Sequence, residues 1–129
     1  MFGRNAKSHI DSLIGSNTRI EGTVHFCGGL RIDGEVYGDV IAELGEGSVL
    51  IVSEHDRIEG AVRCANMVVN GYIAGPVHCA ELLELQPNAR IVGDVHYKLL
   101  EMHGGAVVAG KLTHQQDQAE SVHLALSTA

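Results

Sequence analysis

Tryptophan is absent, and three tyrosines and two phenylalanines supply only 4% aromatic content in 129 residues. A chain so poor in aromatics lines no large aromatic pocket, and its interior has to be filled by Val, Ile and Leu. Basic residues are also scarce: nine Lys and Arg against sixteen Asp and Glu leave a net charge of −7. General nucleic-acid binding needs a basic face that displaces counterions from phosphates, so that class is excluded. The three cysteines are an odd number without framework spacing, which fits a reducing cytoplasm better than a disulfide scaffold. No run approaches the roughly 18 apolar residues of a membrane span, and the first residues lack the apolar core of a secretory signal. The expectation is a soluble single domain that can touch a membrane without crossing it.

What the chain does have is one phrase repeated: an aliphatic residue, any residue, glycine, any residue, another aliphatic. Its copies centre on Gly22, Gly38, Gly60, Gly75, Gly93 and Gly110, with steps of 16, 22, 15, 18 and 17 residues. Around each copy the aliphatics alternate with polar residues, as in Leu30, Ile32 and Val36 against Arg31, Asp33 and Glu35. That is the period of a half-buried strand. Residues 82–95 match 99–112 without a gap, so Leu82, Leu83, Glu84, Ala89 and Gly93 recur as Leu99, Leu100, Glu101, Ala106 and Gly110.

A period of about 18 residues at about 3.3 Å per residue makes a perimeter of roughly 59 Å, enough for three short strands and their corners. The fold expected is therefore all-β: a parallel β-helix, or solenoid, of about six triangular rungs. A single rung cannot bury its apolar face alone, so each depends on the rungs above and below it. Glycine falls where the chain bends or where adjacent backbones come close. The long step between Gly38 and Gly60 contains Gly45, Glu46 and Gly47 and predicts a loop at one corner.

Three segments follow: an N-terminal tail over 1–16, the repeats over 17–112, and a disordered tail over 113–129. The first tail carries Arg4 and Lys7 without an acid before Asp11, and with Phe2 it forms a weak anchor for anionic lipid. Ile10, Leu13 and Ile14 stand at i, i+3 and i+4, so a short helix capping the first rung is expected there. Stacked solenoids leave two open ends, and these carry the chemistry of the chain. Ile20, Val24 and Phe26 line the first rung; Leu99, Leu100, Met102, Val107, Val108 and Leu112 line the last. These nine residues are the expected polymer interface.

Two other residue types invite site readings. His25, His78 and His96 each follow the last aliphatic of a repeat, so His78 and His96 should stack on the outer surface of adjacent rungs. The equivalent positions elsewhere are Ile41, Arg63 and Thr113, which breaks any run of ligands zinc would need. Cys64 and Cys79 fall on the inward side, where they behave as small hydrophobes and not as nucleophiles. No catalytic residue, metal or cofactor is expected.

The chain resembles the bactofilin family over about residues 10–112. The resemblance is carried by Gly28-Gly29-Leu30-Arg31-Ile32-Asp33-Gly34, Val52-Ser53-Glu54-His55, Val68-Val69-Asn70-Gly71, Leu83-Glu84-Leu85-Gln86-Pro87, Gly93-Asp94-Val95-His96-Tyr97 and Leu100-Glu101-Met102-His103. It implies a right-handed coil whose subunits polymerise end to end without nucleotide into non-polar cytoskeletal filaments. It also implies that cell-wall or polarity proteins are positioned on those filaments. Met1-Phe2-Gly3-Arg4 is similar to the short tail by which many members attach to the inner membrane, which implies a cytoplasmic protein at that membrane's inner face. Gly45 to Val49 and Pro76 depart from the expected rung. The rival reading is an enzyme of the hexapeptide-repeat type, an acyltransferase or zinc carbonic anhydrase, to which the six-residue spacing of Ile20, Phe26 and Ile32 gives a foothold. Steps of 15 to 22 residues break that spacing elsewhere.

Overall fold

The computed structural model describes residues 10–43 and 47–115, which form six stacked rungs of three strands each, with no helix among them. Rung 1 is β1 (Ser12–Ile14), β2 (Arg19–Glu21) and β3 (Val24–Phe26), and rung 2 is β4 (Gly29–Ile32), β5 (Glu35–Tyr37) and β6 (Val40–Ala42). Rung 3 starts with β7 (Val49–Val52) and β8 (Arg57–Glu59) and runs into β9 (Val62–Val69), which turns a corner without breaking and opens rung 4. Strands β10 (Tyr72–Ala74) and β11 (Val77–Leu85) repeat that arrangement into rung 5, which β12 (Arg90–Val92) and β13 (Val95–Tyr97) complete. Rung 6 is β14 (Leu99–Met102), β15 (Val107–Ala109) and β16 (Leu112–His114).

Every pairing is parallel and joins one rung to the next, which makes three flat faces. Face A stacks β1, β4, β7, the second half of β9, the second half of β11, and β14. Face B stacks β2, β5, β8, β10, β12 and β15. Face C stacks β3, β6, the first halves of β9 and β11, β13 and β16. In-register pairing puts like side chains in columns. Leu30, Leu50, Met67 and Leu83 form one on face A, Val36, Ile58, Ile73 and Ile91 one on face B, and Val40, Val62, Val77 and Val95 one on face C. All are 2% exposed or less. A rung gains both its hydrogen bonds and its burial from neighbours, as a one-dimensional stack requires.

The repeated glycine stands at the corner between faces B and C. Gly75 has φ +150°, and a Cβ built on it would lie 2.2 Å from the carbonyl oxygen of Gly60 one rung earlier. No side chain fits so close to backbone. Pro76, a departure from the expected rung, sits at the same corner without harm. The neighbouring corner N–H groups, those of Ala61 and Lys111, go to the side chains of Asp39 and Asp94 and not to the ladder, so a missing donor at Pro76 costs no ladder bond. Its carbonyl still accepts from the N–H of Val62 at 2.9 Å.

The helix expected from Ile10, Leu13 and Ile14 does not form. Residues Ser12–Ile14 are instead strand β1, paired with Leu30 to Ile32, because Ser12 and Ile14 continue the inward columns of face A while Leu13 points out. The rungs thus begin before residue 17, and β16 ends at His114, past residue 112. Phe2, Arg4 and Lys7, Gly45 and Glu46, and the tail beyond residue 115 lie outside the described residues.

Candidate polymerisation interface

The two end rungs are incomplete in the same way. Strands β1, β2 and β3 pair only with rung 2, and β14, β15 and β16 only with rung 5, so among the described residues one edge of each end strand has no neighbouring strand. Such edges template pairing with another chain.

Apolar surface lies beside those edges. In rung 6, Leu100, Met102, Val108 and Leu112 are in register with the core residues Leu83, Leu85, Ile91 and Val95. Met102 is 45% and Leu112 43% exposed, whereas Leu85 and Val95 directly beneath them are fully buried. The difference is that no seventh rung follows among the described residues. Ala106 and His114 complete the same open layer; His114 stands in register with Tyr97, their rings 5.7 Å apart. At the other end, half-buried Ile20 and Val24 sit over Val36 and Val40, while Phe26 over Ala42 and Ile14 over Ile32 are only 8% exposed, so this layer is more covered than that of rung 6. Gly22 reports the same opening in backbone terms. A Cβ there meets nothing within 4 Å, whereas at Gly38, one rung in, it would lie 2.2 Å from the Gly22 carbonyl oxygen.

Seven of the nine expected interface residues are brought to these layers. Leu99 and Val107 are not: their partners Leu82 and Arg90 point outward, so both side chains lie on the outer faces beside the open layer. Ile14, Ala106 and His114 were missed. The 17-residue match that pairs Ala89 with Ala106 also pairs Tyr97 with His114 and could have found them both.

The remaining candidate residues are structural. His78 and His96 stack with ring centroids 4.5 Å apart and planes 4° from parallel. Their column continues through Arg63, Ile41 and His25 on one side and Thr113 on the other. Burial, His96 and Arg63 together push the His78 imidazole below its usual pKa. Among the described residues no group of three or more His, Cys, Asp or Glu is arranged to hold a metal ion. Cys64 and Cys79 are buried in the core, and burial pushes the Cys79 thiol up to about 12 and raises that of Cys64. Thiols held protonated in this way are poor nucleophiles. Sequence reasoning also missed Asp56, a buried carboxylate at the corner between faces A and B. Its Oδ1 accepts the Tyr72 N–H at 2.8 Å and its Oδ2 has no partner; burial foremost, then Asp33, raises its pKa to about 8.

Comparison with known proteins agrees with this geometry. The family model for bactofilins, described as polymer-forming cytoskeletal, matches residues 12–113. Among solved structures the chain is similar to a Thermus thermophilus bactofilin reconstructed by cryo-EM as double helical filaments, with 28% identity and a TM-score of 0.68. The match covers 78% of this chain and 96% of that one. No curated protein sequence matches.

Proposed function

The chain belongs to the bactofilin family of polymer-forming cytoskeletal proteins, and on that premise we propose that its two open rungs are the junctions through which subunits stack end to end into filaments. The observation that carries this reading is the exposure of Met102 and Leu112 above fully buried Leu85 and Val95. Fully burying one such side chain contributes about 1.5–3 kcal/mol, and each junction also pairs the free edges of three strands. Apolar contact and backbone pairing drive such assembly without a nucleotide.

The filament lies at the inner face of the cell membrane, held by Phe2, Arg4 and Lys7. One tail is a marginal anchor, since each basic side chain near an anionic surface contributes only about 1 kcal/mol. A filament presents many tails at once and multiplies that weak affinity by avidity. On such a scaffold, cell-wall or polarity proteins would be concentrated along a line.

Negative-stain electron microscopy of the purified full chain without nucleotide tests the reading. Filaments are expected. A compact monomer that persists at high concentration in sedimentation would overturn it.

A further inference from the structure

The outer surface of face A carries an uncovered apolar strip. Ile51 and Val68 stand at its centre, in register with one another and only half-buried, and in the next outward column Val49 and Leu82 flank them on either side of the polar Asn66. Leu99 extends the strip to the last rung, 58% exposed. Outward positions of a solvated sheet normally alternate to polar residues, and faces B and C do so at the same rungs: Arg57 and Tyr72 on face B, Arg63 and His78 on face C.

Charge is ordered along the strip. The column running through its centre reads Leu13, Arg31, Ile51, Val68, Glu84 and Glu101 from rung 1 to rung 6. Arg31 is half exposed, its Nε 3.0 Å from Asp33, and Glu84 lies toward the other end, near His103 at 3.3 Å. Two copies laid face to face with their long axes parallel would set Arg31 against Arg31 and Glu84 against Glu84. With the axes antiparallel, Ile51 meets Val68 at the centre, and each Arg31 meets a Glu84 of the other copy, on either side of that contact. Like-charge contact is unfavourable and opposite-charge contact favourable, so charge selects the antiparallel arrangement. In the adjacent column Ser53 then faces Asn70 and Asp33 faces Gln86. A shallow groove of ≈510 Å³ is lined by these polar residues and by Ile51 and Val68 themselves, so water borders the apolar centre on this side. Leu13 and Glu101 meet at the margins, in reach of solvent.

We propose that face A is the lateral contact between two filaments, each subunit packing antiparallel on a second copy of this chain about the Ile51–Val68 centre. The proposal rests on the end-to-end assembly above. Six rungs about 4.8 Å apart and strands of four to five residues at about 3.3 Å make a face of roughly 400 Å² per subunit. A stable isolated complex needs about 800 Å² per partner. Face A is therefore too small to hold two free subunits together and becomes effective only when repeated along a filament. The similar Thermus thermophilus protein was solved as double helical filaments.

The test is electron microscopy of wild type, Arg31→Glu, Glu84→Arg and the Arg31→Glu/Glu84→Arg exchange, with circular dichroism to check folding and pelleting to check end-to-end assembly. Paired filaments are expected for wild type. Each single reversal should give unpaired filaments with undiminished pelleting, and the exchange should restore pairs. Val68→Lys, which puts a charge at the centre, should also separate them. Single reversals that stay paired, or an exchange that stays unpaired, overturn the proposal. Wild-type filaments that are always unpaired overturn it alone and leave end-to-end assembly standing, whereas wild-type protein that forms no filament overturns both.

Discussion

Val108 and Val107 are neighbours in sequence and opposites in the structure, and this makes Val108→Arg the sharpest perturbation of the junction. Val108 is in register with Ile91, which is 1% exposed, so a subunit stacked on rung 6 covers its side chain as rung 6 covers Ile91. Replacing it removes about 1.5 kcal/mol of apolar burial from the contact. It also forces an unpaired guanidinium into that contact or props the two subunits apart, a cost of about 3–5 kcal/mol. The sum, about 5 kcal/mol per junction, raises the concentration needed for assembly by on the order of a thousandfold, at about 1.4 kcal/mol per tenfold. The free subunit is little affected, because its last rung lets Arg reach water. Leu100→Arg, over buried Leu83, should behave alike. Val107→Arg is the control: it adds the same charge one residue away on the outer face and should leave pelleting unchanged. Pelleting against concentration, with thermal unfolding for each variant, reads all three. A folded Val108→Arg protein that pellets like wild type, or a Val107→Arg protein equally defective, would refute the assignment of rung 6 as a junction.

Gly75→Ala places a Cβ 2.2 Å from the Gly60 carbonyl oxygen at φ +150°. The strain alone is about 1–3 kcal/mol, so the melting temperature should fall by roughly 10 °C or more. Gly22→Ala meets nothing within 4 Å in the subunit, so its melting temperature should fall less. Asp56 gives a pH dependence. Its folded pKa of about 8 lies above the ordinary 3.8, so between those values the unfolded chain has given up a proton that the folded chain keeps. Stability should therefore decline as pH rises across that window and level off above it. Asp56→Asn should flatten the decline and unfold at higher temperature than the parent at about pH 9, since no charge is then buried; a variant whose melting profile follows the parent's would contradict this. Deleting residues 1–8 should leave filament formation intact and release filaments from anionic liposomes, and unchanged co-flotation would count against the tail as anchor.

The period was legible because its signals are steric. The glycine corner admits nothing larger, and stacking in register makes equivalent residues line up. Spacing alone gives the histidine column position by position, and the structure pairs His25 with Ile41, Arg63 with His78, and His96 with Thr113 as expected. Strand β1 is ambiguous in sequence because Ile10, Leu13 and Ile14 suit a helix period, while Ser12 and Ile14 suit a strand period; a run of three residues cannot decide, and only pairing with β4 does. Leu99 and Val107 look like junction residues in sequence because apolar character says that a side chain seeks cover, not which face supplies it. Asp56 was invisible for the converse reason. A charged residue at a corner reads as solvated until the backbone turns it inward over Gly71, where a Cβ would lie 2.0 Å from its Oδ1.

A stack of this kind has no intrinsic stop. Each inward column can be ended only by a residue unsuited to being covered, and rung 6 offers Leu100, Met102, Ala106, Val108 and Leu112 with a single titratable side chain, His114, among its inward positions. Rung 1 offers Ile14, Ile20, Val24 and Phe26 with two polar side chains, Ser12 and, at the corner Ala106 occupies in rung 6, Thr18. Neither end carries the buried-charge penalty that would forbid another rung. Whatever covers these layers must therefore come from outside the rungs. Membership of a polymer-forming family makes another subunit the natural cover. On this view the periodicity that folds the chain is also what polymerises it: the apolar layer and free strand edges that one rung offers the next are what each end of a subunit offers another copy.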